Sequence, residues 1–537
     1  MATALVPIET IARKLELPEK YFERASSYGA KVHLELLNDP SLPKRGRMIL
    51  VTATTPTTSG EGKTVTAIGL TQALALLGKK VVITSREPSL GPVFGMKGGA
   101  AGGGMSRIEP SAKINLHFQG DFHAISSAHN LLAALLDSHL YHGNALGLDP
   151  QRISWPRTLD MNDRALRRIA VALDSQRDGG GRQTGFVITA ASEIMAIVAL
   201  AKGRKDLRKR LGEIVVGVTR AGKPVRAREL ESVGGMMVLL AEALLPNLVQ
   251  TTDGTPAFVH TGPFGNIAHG TSSVVSQQMA LRLADYVVNE AGFGADLGAE
   301  KYMDIVMEQA GIRPSVAVLG TTVQSIRNQG EGDLERGLPN LGRHIQNLKG
   351  FGLPVIGAIN RFPNDTPEDL ARLEDYCAER GVTTARSEAF TKGGAGVTEL
   401  AGKVVEQIAG NPAPEVRPVY ALEETLEEKI GKVATRIYGA ADVSYSAEAR
   451  EKLERFSEWG YGKVPVCIAK TQYSFTDDPK IPGAPEGWTL RVTDASLSAG
   501  AGFVVVICGN TMLMPGLPKN PRANAIDLSE SGEFLGV

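Results

Sequence analysis

The feature that most constrains the fold is the direct succession of an apolar run, a glycine-containing loop and a helical pattern. The run Met48–Ala53 precedes the loop Thr57–Thr64. Lys63–Leu77 then has the pattern of a helix, and Gly78 is placed to stop it. A further apolar run, Val81–Thr84, completes a β–α–β unit. Such a unit predicts a parallel sheet with the loop at the carboxyl end of its first strand.

The loop matches most of the pattern G-x-x-x-x-G-K-S/T of phosphate-binding loops, with Thr57 in place of the first glycine. Gly60 and Gly62 let the backbone turn its N–H groups toward a phosphate, and the helix N-terminus adds partial positive charge. Lys63 can then reach the β- and γ-phosphates, and the Thr64 hydroxyl can hold Mg²⁺. The structural alternative is a strand–helix turn with a chance Lys-Thr pair. The predicted ATP-binding residues are Thr57, Thr58, Ser59, Gly60, Glu61, Gly62, Lys63 and Thr64.

Much of the first two thirds of the chain alternates short apolar runs with helix-like segments, as a parallel α/β sheet requires. Most of these runs lack polar alternation, which suits strands covered on both faces. We therefore predict an α/β fold with a P-loop, a doubly wound and mostly parallel sheet, and smaller α/β C-terminal domains. The other predicted strands are Phe186–Thr189, Ile214–Thr219, Ala257–His260, Tyr286–Asn289, Ser315–Leu319 and Val355–Asn360.

The length of the chain, 537 residues, predicts more than one domain. The segment Ala409–Pro418 has the composition of a connector. Beyond it, Glu423–Tyr438 has the pattern of an amphipathic helix, and Val464–Lys470 and Phe503–Cys508 have that of strands. The predicted domains are residues 1–342, 343–412 and 413–537.

Composition and charge exclude several function classes. Lys plus Arg and Asp plus Glu both number 58, so there is no overall basic field to recruit nucleic acid or an anionic membrane. No stretch approaches the roughly 18 apolar residues of a membrane span. Cys377, Cys467 and Cys508 lie far apart, without metal-ligand or redox spacing. We expect a soluble, cytoplasmic protein with reduced thiols.

A series of motif runs, from the phosphate loop to the C-terminal region, is similar to a single enzyme family. The runs are Thr54–Thr64, Arg86–Pro92, Gly95–Met105, Asn115–His123, Glu290–Gly298, Lys470–Phe475 and Met514–Lys519. On these residues the chain resembles the formate–tetrahydrofolate ligases over nearly its whole length. The resemblance implies that ATP, formate and tetrahydrofolate give 10-formyltetrahydrofolate, ADP and phosphate by way of formyl phosphate. It also implies Mg²⁺, activation by a monovalent cation such as K⁺ or NH₄⁺, and a homotetramer.

The resemblance assigns catalytic residues as well. Arg86 matches the family's arginine that is thought to hold formyl phosphate, and a planar guanidinium can bind two oxygens at once. Lys63 would hold the terminal phosphoryl group. Glu87 and Asp121 are candidate carboxylates near the folate amine, where they could accept a proton, bind a cation or form a structural ion pair.

A folate pocket is implied by two phenylalanines in residues 343–412, the domain expected to contribute this pocket. Phe362 matches the family's pterin-stacking phenylalanine, and Phe390 stands where the family often has tryptophan. The smaller ring predicts weaker folate binding. The chain also departs from the family at Met105, which replaces a tyrosine, and in the altered segment Thr322–Glu331.

Two other function classes could use the same loop. A P-loop amidoligase or carboxylase also activates a carboxylate through a phosphate, and an ATP-driven switch moves partner proteins. The tract Gly95–Met105 and the folate motifs favour the ligase over both. ATP turnover by an amidoligase would not respond to tetrahydrofolate, and that of a switch would not respond to formate.

Overall fold

The computed structural model describes residues 5–57, 60–96, 99, 101–174 and 181–537. Within these residues the strands are β1 (Phe22–Ser26), β2 (Gly29–Val32), β3 (Arg47–Ala53), β4 (Val81–Ser85), β5 (Gly102–Gly103), β6 (Ser106–Glu109), β7 (Leu148–Ile153), β8 (Arg157–Leu159), β9 (Ile169–Val171), β10 (Arg182–Thr184), β11 (Phe186–Ile188), β12 (Val215–Thr219), β13 (Pro224–Arg226), β14 (Asn247–Thr251), β15 (Pro256–Val259), β16 (Tyr286–Gly294), β17 (Pro314–Thr321), β18 (Val355–Asn360), β19 (Thr383–Ser387), β20 (Asp442–Tyr445), β21 (Val466–Ala469), β22 (Thr489–Ser498), β23 (Phe503–Cys508), β24 (Asp527–Leu528) and β25 (Phe534–Leu535).

The α-helices lie mostly between these strands. They are α1 (Ile8–Lys14), α2 (Lys63–Leu76), α3 (Leu90–Phe94), α4 (Ser111–Asn115), α5 (Asp121–Tyr141), α6 (Glu193–Leu200), α7 (Arg204–Glu213), α8 (Val233–Leu239), α9 (Val274–Leu283), α10 (Glu308–Ala310), α11 (Val323–Gln329), α12 (Leu334–Gly350), α13 (Pro367–Ala378), α14 (Ala389–Lys392), α15 (Thr398–Gly410), α16 (Leu426–Lys432) and α17 (Ala447–Phe456). Segments of π-helix cover Ala295–Ala299, Tyr302–Met307, Val433–Tyr438 and Ser457–Tyr461.

One large sheet carries the fold. Its strand order is β1-β2-β14-β15-β4-β16-β3-β17-β18-β19, with β6 paired to β14 and β5 paired to β6. Neighbouring strands from β15 to β19 are parallel. Those from β1 to β15 are antiparallel. A large and mostly parallel sheet confirms the predicted α/β class.

The sheet is covered on both faces. Along β3, Met48 and Leu50 join one apolar core, whereas Ile49 and Val51 join another. Successive side chains of a strand point to opposite faces, so these two cores lie on the two sides of the sheet. This double burial explains why β3 reads as a continuous apolar run rather than as an alternating pattern.

The strand order reverses beside the phosphate loop. Strand β16 lies between β3 and β4, and the chain later adds β17, β18 and β19 on the other side of β3. Ligands of open α/β sheets bind at the carboxyl edge where the order reverses. The predicted helix after the loop is confirmed as α2, and Gly78 follows it with φ +72°. The fold thus places the loop at the expected ligand edge.

Two of the predicted strands form but lie outside the large sheet. Strand β11 (Phe186–Ile188) pairs with β8, and β12 (Val215–Thr219) lies between β13 and β7 in a separate sheet. Their assignment to the central parallel sheet is therefore wrong. An apolar run predicts a strand, but its pairing partner depends on contacts that are distant in sequence.

The C-terminal region has its own sheet, with the order β20-β22-β23-β21. Its predicted strands are confirmed as β21 (Val466–Ala469) and β23 (Phe503–Cys508). The predicted helix begins at Leu426 and continues as π-helix to Tyr438. Strands β18 and β19 continue the large sheet, and the division at 342/343 and 412/413 stays a prediction. Among the described helices, none combines the length and the apolar character needed to cross a membrane.

Helix α11 (Val323–Gln329) occupies most of the altered segment Thr322–Glu331. The Thr322 side chain accepts from the Ser325 N–H at 2.8 Å, and the Ser325 hydroxyl oxygen accepts from the Thr322 N–H at 3.2 Å. This reciprocal cap satisfies two N–H groups at the helix start. Arg327, in the last turn, pairs with Asp369 at 2.9 Å. The altered sequence thus has a regular local structure.

Candidate active site

The phosphate loop has the backbone that its glycines predict. Gly60 (φ +79°) and Gly62 (φ +70°) are both left-handed, and Gly62 is the N-cap of α2. A Cβ added at Gly62 would lie 3.2 Å from the Asn360 Nδ2 atom. A side chain is therefore disfavoured there by conformation and by space. The predicted residues Thr58 and Ser59 lie outside the described residues.

Asn360, the last residue of β18, links the loop to the sheet through hydrogen bonds of its side chain. Its Nδ2 donates to the Glu61 carbonyl oxygen at 2.7 Å, and its Oδ1 accepts from the Thr66 hydroxyl at 2.8 Å. Within the loop, the Thr57 N–H donates to Glu61 Oε1 at 2.5 Å. The side chain of Asn360 thus fixes both the loop and the first turn of α2. The sequence predicted the strand that ends at Asn360 but not this role.

Lys63 faces a carboxylate at the carboxyl edge. Its Nζ lies 3.7 Å from Glu290 Oε1, and the two side chains are 13% and 4% exposed. Burial lowers the pKa of Lys63, Glu290 opposes that shift, and the nearby Arg86 adds to it. Glu290 Oε1 has no hydrogen-bond partner among the described residues. The site therefore combines a buried Lys63–Glu290 pair with a carboxylate oxygen that can accept a further hydrogen bond.

Arg86 follows β4, and its charge interacts with that of the same carboxylate. Its Nη1 donates to the Pro263 carbonyl oxygen at 2.9 Å, and its buried Nε has no hydrogen-bond partner in the described part of the chain. Burial lowers the pKa of Arg86, and Glu290 opposes the shift. A Cβ at Gly292 would lie 3.2 Å from Nη2, so the missing side chain there leaves room for the guanidinium. Lys63 thus pairs with Glu290, and the charge of Glu290 also acts on Arg86.

Glu87 and Asp121 are both buried, but their surroundings differ. Burial, and next the Asp121 carboxylate, raise the pKa of Glu87 well above its ordinary value of 4.5. Asp121 accepts from Lys31 Nζ at 2.6 Å and from Asn247 Nδ2 at 2.8 Å. Burial thus increases the proton affinity of the Glu87 carboxylate, whereas Asp121 is ion-paired with Lys31. Lys31 and Asn247 were not predicted, because only tertiary pairing brings them to Asp121.

The two predicted folate residues follow neighbouring parallel strands. Phe362 lies just after β18 and Phe390 just after β19, and Asn360 pairs with Ser387 at the carboxyl ends of these strands. The side chains are 46% and 59% exposed, which is unusual for phenylalanine. Both rings are thus available to a ligand at the same edge as the phosphate loop.

The glycine tract after α3, Gly95–Met105, contacts Phe390 through its backbone. The Met105 N–H donates to the Phe390 carbonyl oxygen at 2.8 Å. A Cβ at Gly103 would lie 3.0 Å from a ring carbon of Phe390, so glycine permits the close approach. Three residues of the tract, Lys97, Gly98 and Ala100, lie outside the described residues.

Comparison with known proteins identifies the family. The family model described as formate–tetrahydrofolate ligase matches residues 1–537. A formate–tetrahydrofolate ligase of Granulibacter bethesdensis is 49% identical over 541 aligned positions, covering 99% of this chain and 94% of the relative. Those of a Nocardioides species and of Symbiobacterium thermophilum are each 50% identical, covering 100% and 99% of this chain and 98% of each relative. The chain belongs to the formate–tetrahydrofolate ligase family.

This member of the formate–tetrahydrofolate ligase family has strained backbone around Arg86. Thr261 (φ +57°) and Phe293 (φ +61°) adopt the left-handed conformation, which is uncommon for β-branched or bulky residues. The Thr261 carbonyl oxygen accepts from the Glu87 N–H at 2.7 Å, and Phe293 follows Gly292. Such strain is concentrated at functional sites. The sequence alone does not predict this strain, because neither threonine nor phenylalanine favours the left-handed conformation.

Proposed function

We propose that this chain catalyses the ATP-dependent ligation of formate to tetrahydrofolate, giving 10-formyltetrahydrofolate, ADP and phosphate. The supporting observation is the cluster of Lys63, Arg86 and Glu290 beside a glycine loop at the sheet's ligand edge. Membership of the formate–tetrahydrofolate ligase family identifies the substrates that such a cluster serves. The finer assignments below are part of the same proposal.

In the first step, a formate oxygen attacks the γ-phosphorus of ATP, and the bond from that phosphorus to the β–γ bridging oxygen breaks. The products are formyl phosphate and ADP. Negative charge moves toward the bridging oxygen, so main-chain N–H groups at the start of α2 and the Lys63 ammonium stabilise the transition state. Glu290 opposes the lowering of the Lys63 pKa by burial and so favours the charged ammonium.

In the second step, Arg86 holds formyl phosphate while the N10 amine of tetrahydrofolate attacks the formyl carbon. The bond from carbon to the bridging oxygen breaks, and phosphate leaves with the electron pair. The amine must lose a proton. Glu87 in its ionised form is the proposed acceptor, because the raised pKa makes that carboxylate the stronger base, whereas Asp121 is engaged by Lys31.

Thr64, in the first turn of α2, is the proposed Mg²⁺ ligand. Thr64 is half-buried and directly follows Lys63, whose Nζ lies 3.7 Å from Glu290 Oε1. That carboxylate oxygen has no hydrogen-bond partner in the described residues, and hydroxyl and carboxylate oxygens are ligands that suit a hard cation. Bound there, the cation would neutralise phosphate charge. Monovalent-cation activation, the homotetramer and the cytoplasmic location stay predictions.

The pteridine ring of tetrahydrofolate is proposed to stack on Phe362 and Phe390. Their exposure and their places after neighbouring strands support this assignment. Stacking there would direct N10 toward the carboxyl edge that carries Arg86.

The discriminating assay is ADP release with formate and tetrahydrofolate, added singly and together. The ligase requires both for sustained turnover. ADP release by an amidoligase would not depend on tetrahydrofolate, and ADP release by a switch would not depend on formate.

The variant Lys63→Ala should raise the activation free energy of turnover by about 3 kcal/mol or more, which lowers the rate by roughly 10²-fold. Lys79→Ala, beyond the other end of α2, is the matched control and should keep normal turnover. Normal turnover in Lys63→Ala would remove the loop from the mechanism.

A further inference from the structure

The motif run Lys470–Phe475 has no part in the chemistry above, although its side chains reach residues next to the phosphate loop. Lys470 directly follows β21 of the C-terminal sheet, and its Nζ donates to Asp296 Oδ2 at 3.0 Å. Lys470 and Asp296 are 0% and 1% exposed. Carbonyl oxygens of Thr471 and Ser474 accept the other hydrogen bonds, at 3.2 and 2.5 Å. The ammonium is therefore fully bonded and held in place.

A second contact from the same run leads, through His344, to Thr55, two residues before the loop. The Phe475 ring lies 4.6 Å from the His344 ring, centroid to centroid, and both side chains are fully buried. His344 Nε2 is hydrogen-bonded to the Thr55 hydroxyl at 3.0 Å. Asn340, one turn earlier in α12, donates to the same hydroxyl at 2.9 Å. Thr55 is thus fixed from α12, and Phe475 packs against the histidine that fixes it.

The two contacts meet at Gly294, the last residue of β16. A Cβ at Gly294 would lie 2.6 Å from Asp296 Oδ1 and 3.1 Å from His344 Cε1. It would also lie 3.5 Å from the carbonyl oxygen of Thr54. Asp296, His344 and the chain entering the phosphate loop are therefore packed against one glycine. Both side chains therefore lie close to the backbone that precedes the loop.

We propose that residues 470–475, here termed the C-terminal clamp, position the phosphate loop for phosphoryl transfer. Lys470 holds Asp296, Phe475 holds His344, and His344 fixes Thr55. The proposal rests on the function proposed above, because it assigns the clamp to the phosphate loop of that reaction. Lys470 and His344 are positioning residues, since neither lies among the groups proposed to contact substrate.

A purely structural role would have a different consequence. Removal of one partner from a buried ion pair destabilises a protein by about 3–5 kcal/mol, whatever the function of the site. A positioning role predicts a loss of kcat well below the melting temperature, because a displacement of about 1 Å costs about 10²-fold in rate. The KM for tetrahydrofolate should not change, because Phe362 and Phe390 follow other strands. A kcat loss without a KM change for folate therefore separates the two roles.

The test uses the full chain and steady-state kinetics, with the melting temperature measured for each variant. Thr55→Val removes the hydroxyl with little change in volume, and Thr55→Ser keeps it. His344→Phe keeps an aromatic ring beside Phe475 and removes the nitrogens. Lys470→Met removes the buried charge. Lys429→Met is the matched control, because Lys429 is also fully buried and donates to carbonyl oxygens of the C-terminal region, at 3.1 Å. Among the described residues it forms no hydrogen bond or ion pair with the loop.

We expect Thr55→Val, His344→Phe and Lys470→Met to lower kcat by about 10- to 100-fold at an unchanged KM for tetrahydrofolate. Thr55→Ser should retain the wild-type kcat, and Lys429→Met should lose stability but not kcat. If Lys470→Met does not fold, the comparison of kcat between Thr55→Val and Thr55→Ser alone decides the test. Wild-type kcat in Thr55→Val and His344→Phe, together with an inactive Lys63→Ala, would refute the clamp and leave the proposed reaction standing. An active Lys63→Ala would refute both.

Discussion

Replacing Arg86 with lysine tests how the site holds the acyl phosphate. In the structure Nη1 is already used by the Pro263 carbonyl oxygen at 2.9 Å, whereas the buried Nε has no hydrogen-bond partner among the described residues. The guanidinium can therefore keep its anchor and still bind two oxygens of formyl phosphate. An ammonium has a single nitrogen and cannot reproduce that fork. Lysine at this position keeps the charge and loses the geometry.

The expected loss follows from the bonds that disappear. One hydrogen bond to a charged group contributes about 1.5–3 kcal/mol, which corresponds to about 10- to 150-fold in rate. We expect a rate reduction in that range for formyl transfer in Arg86→Lys. The affinity for ATP should change far less, because the main-chain amides of the loop and Lys63 are proposed to bind the nucleotide.

The assay is a single turnover of enzyme, ATP, formate and tetrahydrofolate, followed as 10-formyltetrahydrofolate in a rapid-quench instrument. ATP affinity is measured separately by titration calorimetry. Arg45→Lys serves as the control, because Arg45 forms an exposed pair with Asp285 at 3.3 Å. An unchanged single-turnover rate in Arg86→Lys would refute the assignment of Arg86 to the intermediate.

Three further predictions concern the folate pocket, the buried Asp121 and the partly buried Glu193. Phe362→Ala and Phe390→Ala should each raise the KM for tetrahydrofolate by about 2- to 10-fold, from the loss of one ring contact, and Phe390→Trp should lower it; unchanged values in all three variants would mean that the pocket is elsewhere. Asp121→Asn leaves Lys31 buried without its counter-charge and should cost about 3–5 kcal/mol in urea unfolding, so a stable variant contradicts the ion pair. Burial raises the pKa of Glu193 from its ordinary 4.5 to about 8, so its contribution to stability is complete below pH 4.5 and is lost as the pH rises through about 8. The wild-type melting temperature should fall over that window more than that of Glu193→Gln, and parallel curves would contradict the shift.

The fold class and the phosphate loop could be predicted because their signals are local. A buried strand, two glycines and a helix pattern lie within about thirty residues, and each follows from backbone geometry and burial. The same reasoning placed Val215–Thr219 in the wrong sheet, since an apolar run is compatible with many pairing partners. Strand β19 (Thr383–Ser387) was missed because it is a half-exposed edge strand with polar residues.

Much of the candidate site depends on contacts between distant residues. Lys31 and Asp121 are 90 positions apart, and no local pattern connects them. Asn360 has a role only because β18 ends beside the loop. The left-handed conformation of Thr261 is imposed by its surroundings and contradicts the preference of its side chain. Motif resemblance identified Lys63 and Arg86, and the structure added Glu290, which pairs with Lys63 and whose charge acts on Arg86.

The most direct test of the central claim follows an oxygen atom. Formate labelled with ¹⁸O is supplied with ATP and tetrahydrofolate, and the released phosphate is analysed by mass spectrometry. If a formate oxygen attacks the γ-phosphorus and later leaves with it, each phosphate carries one ¹⁸O atom. Unlabelled phosphate formed together with 10-formyltetrahydrofolate would contradict the account, because the formate carboxylate would then never have been phosphorylated.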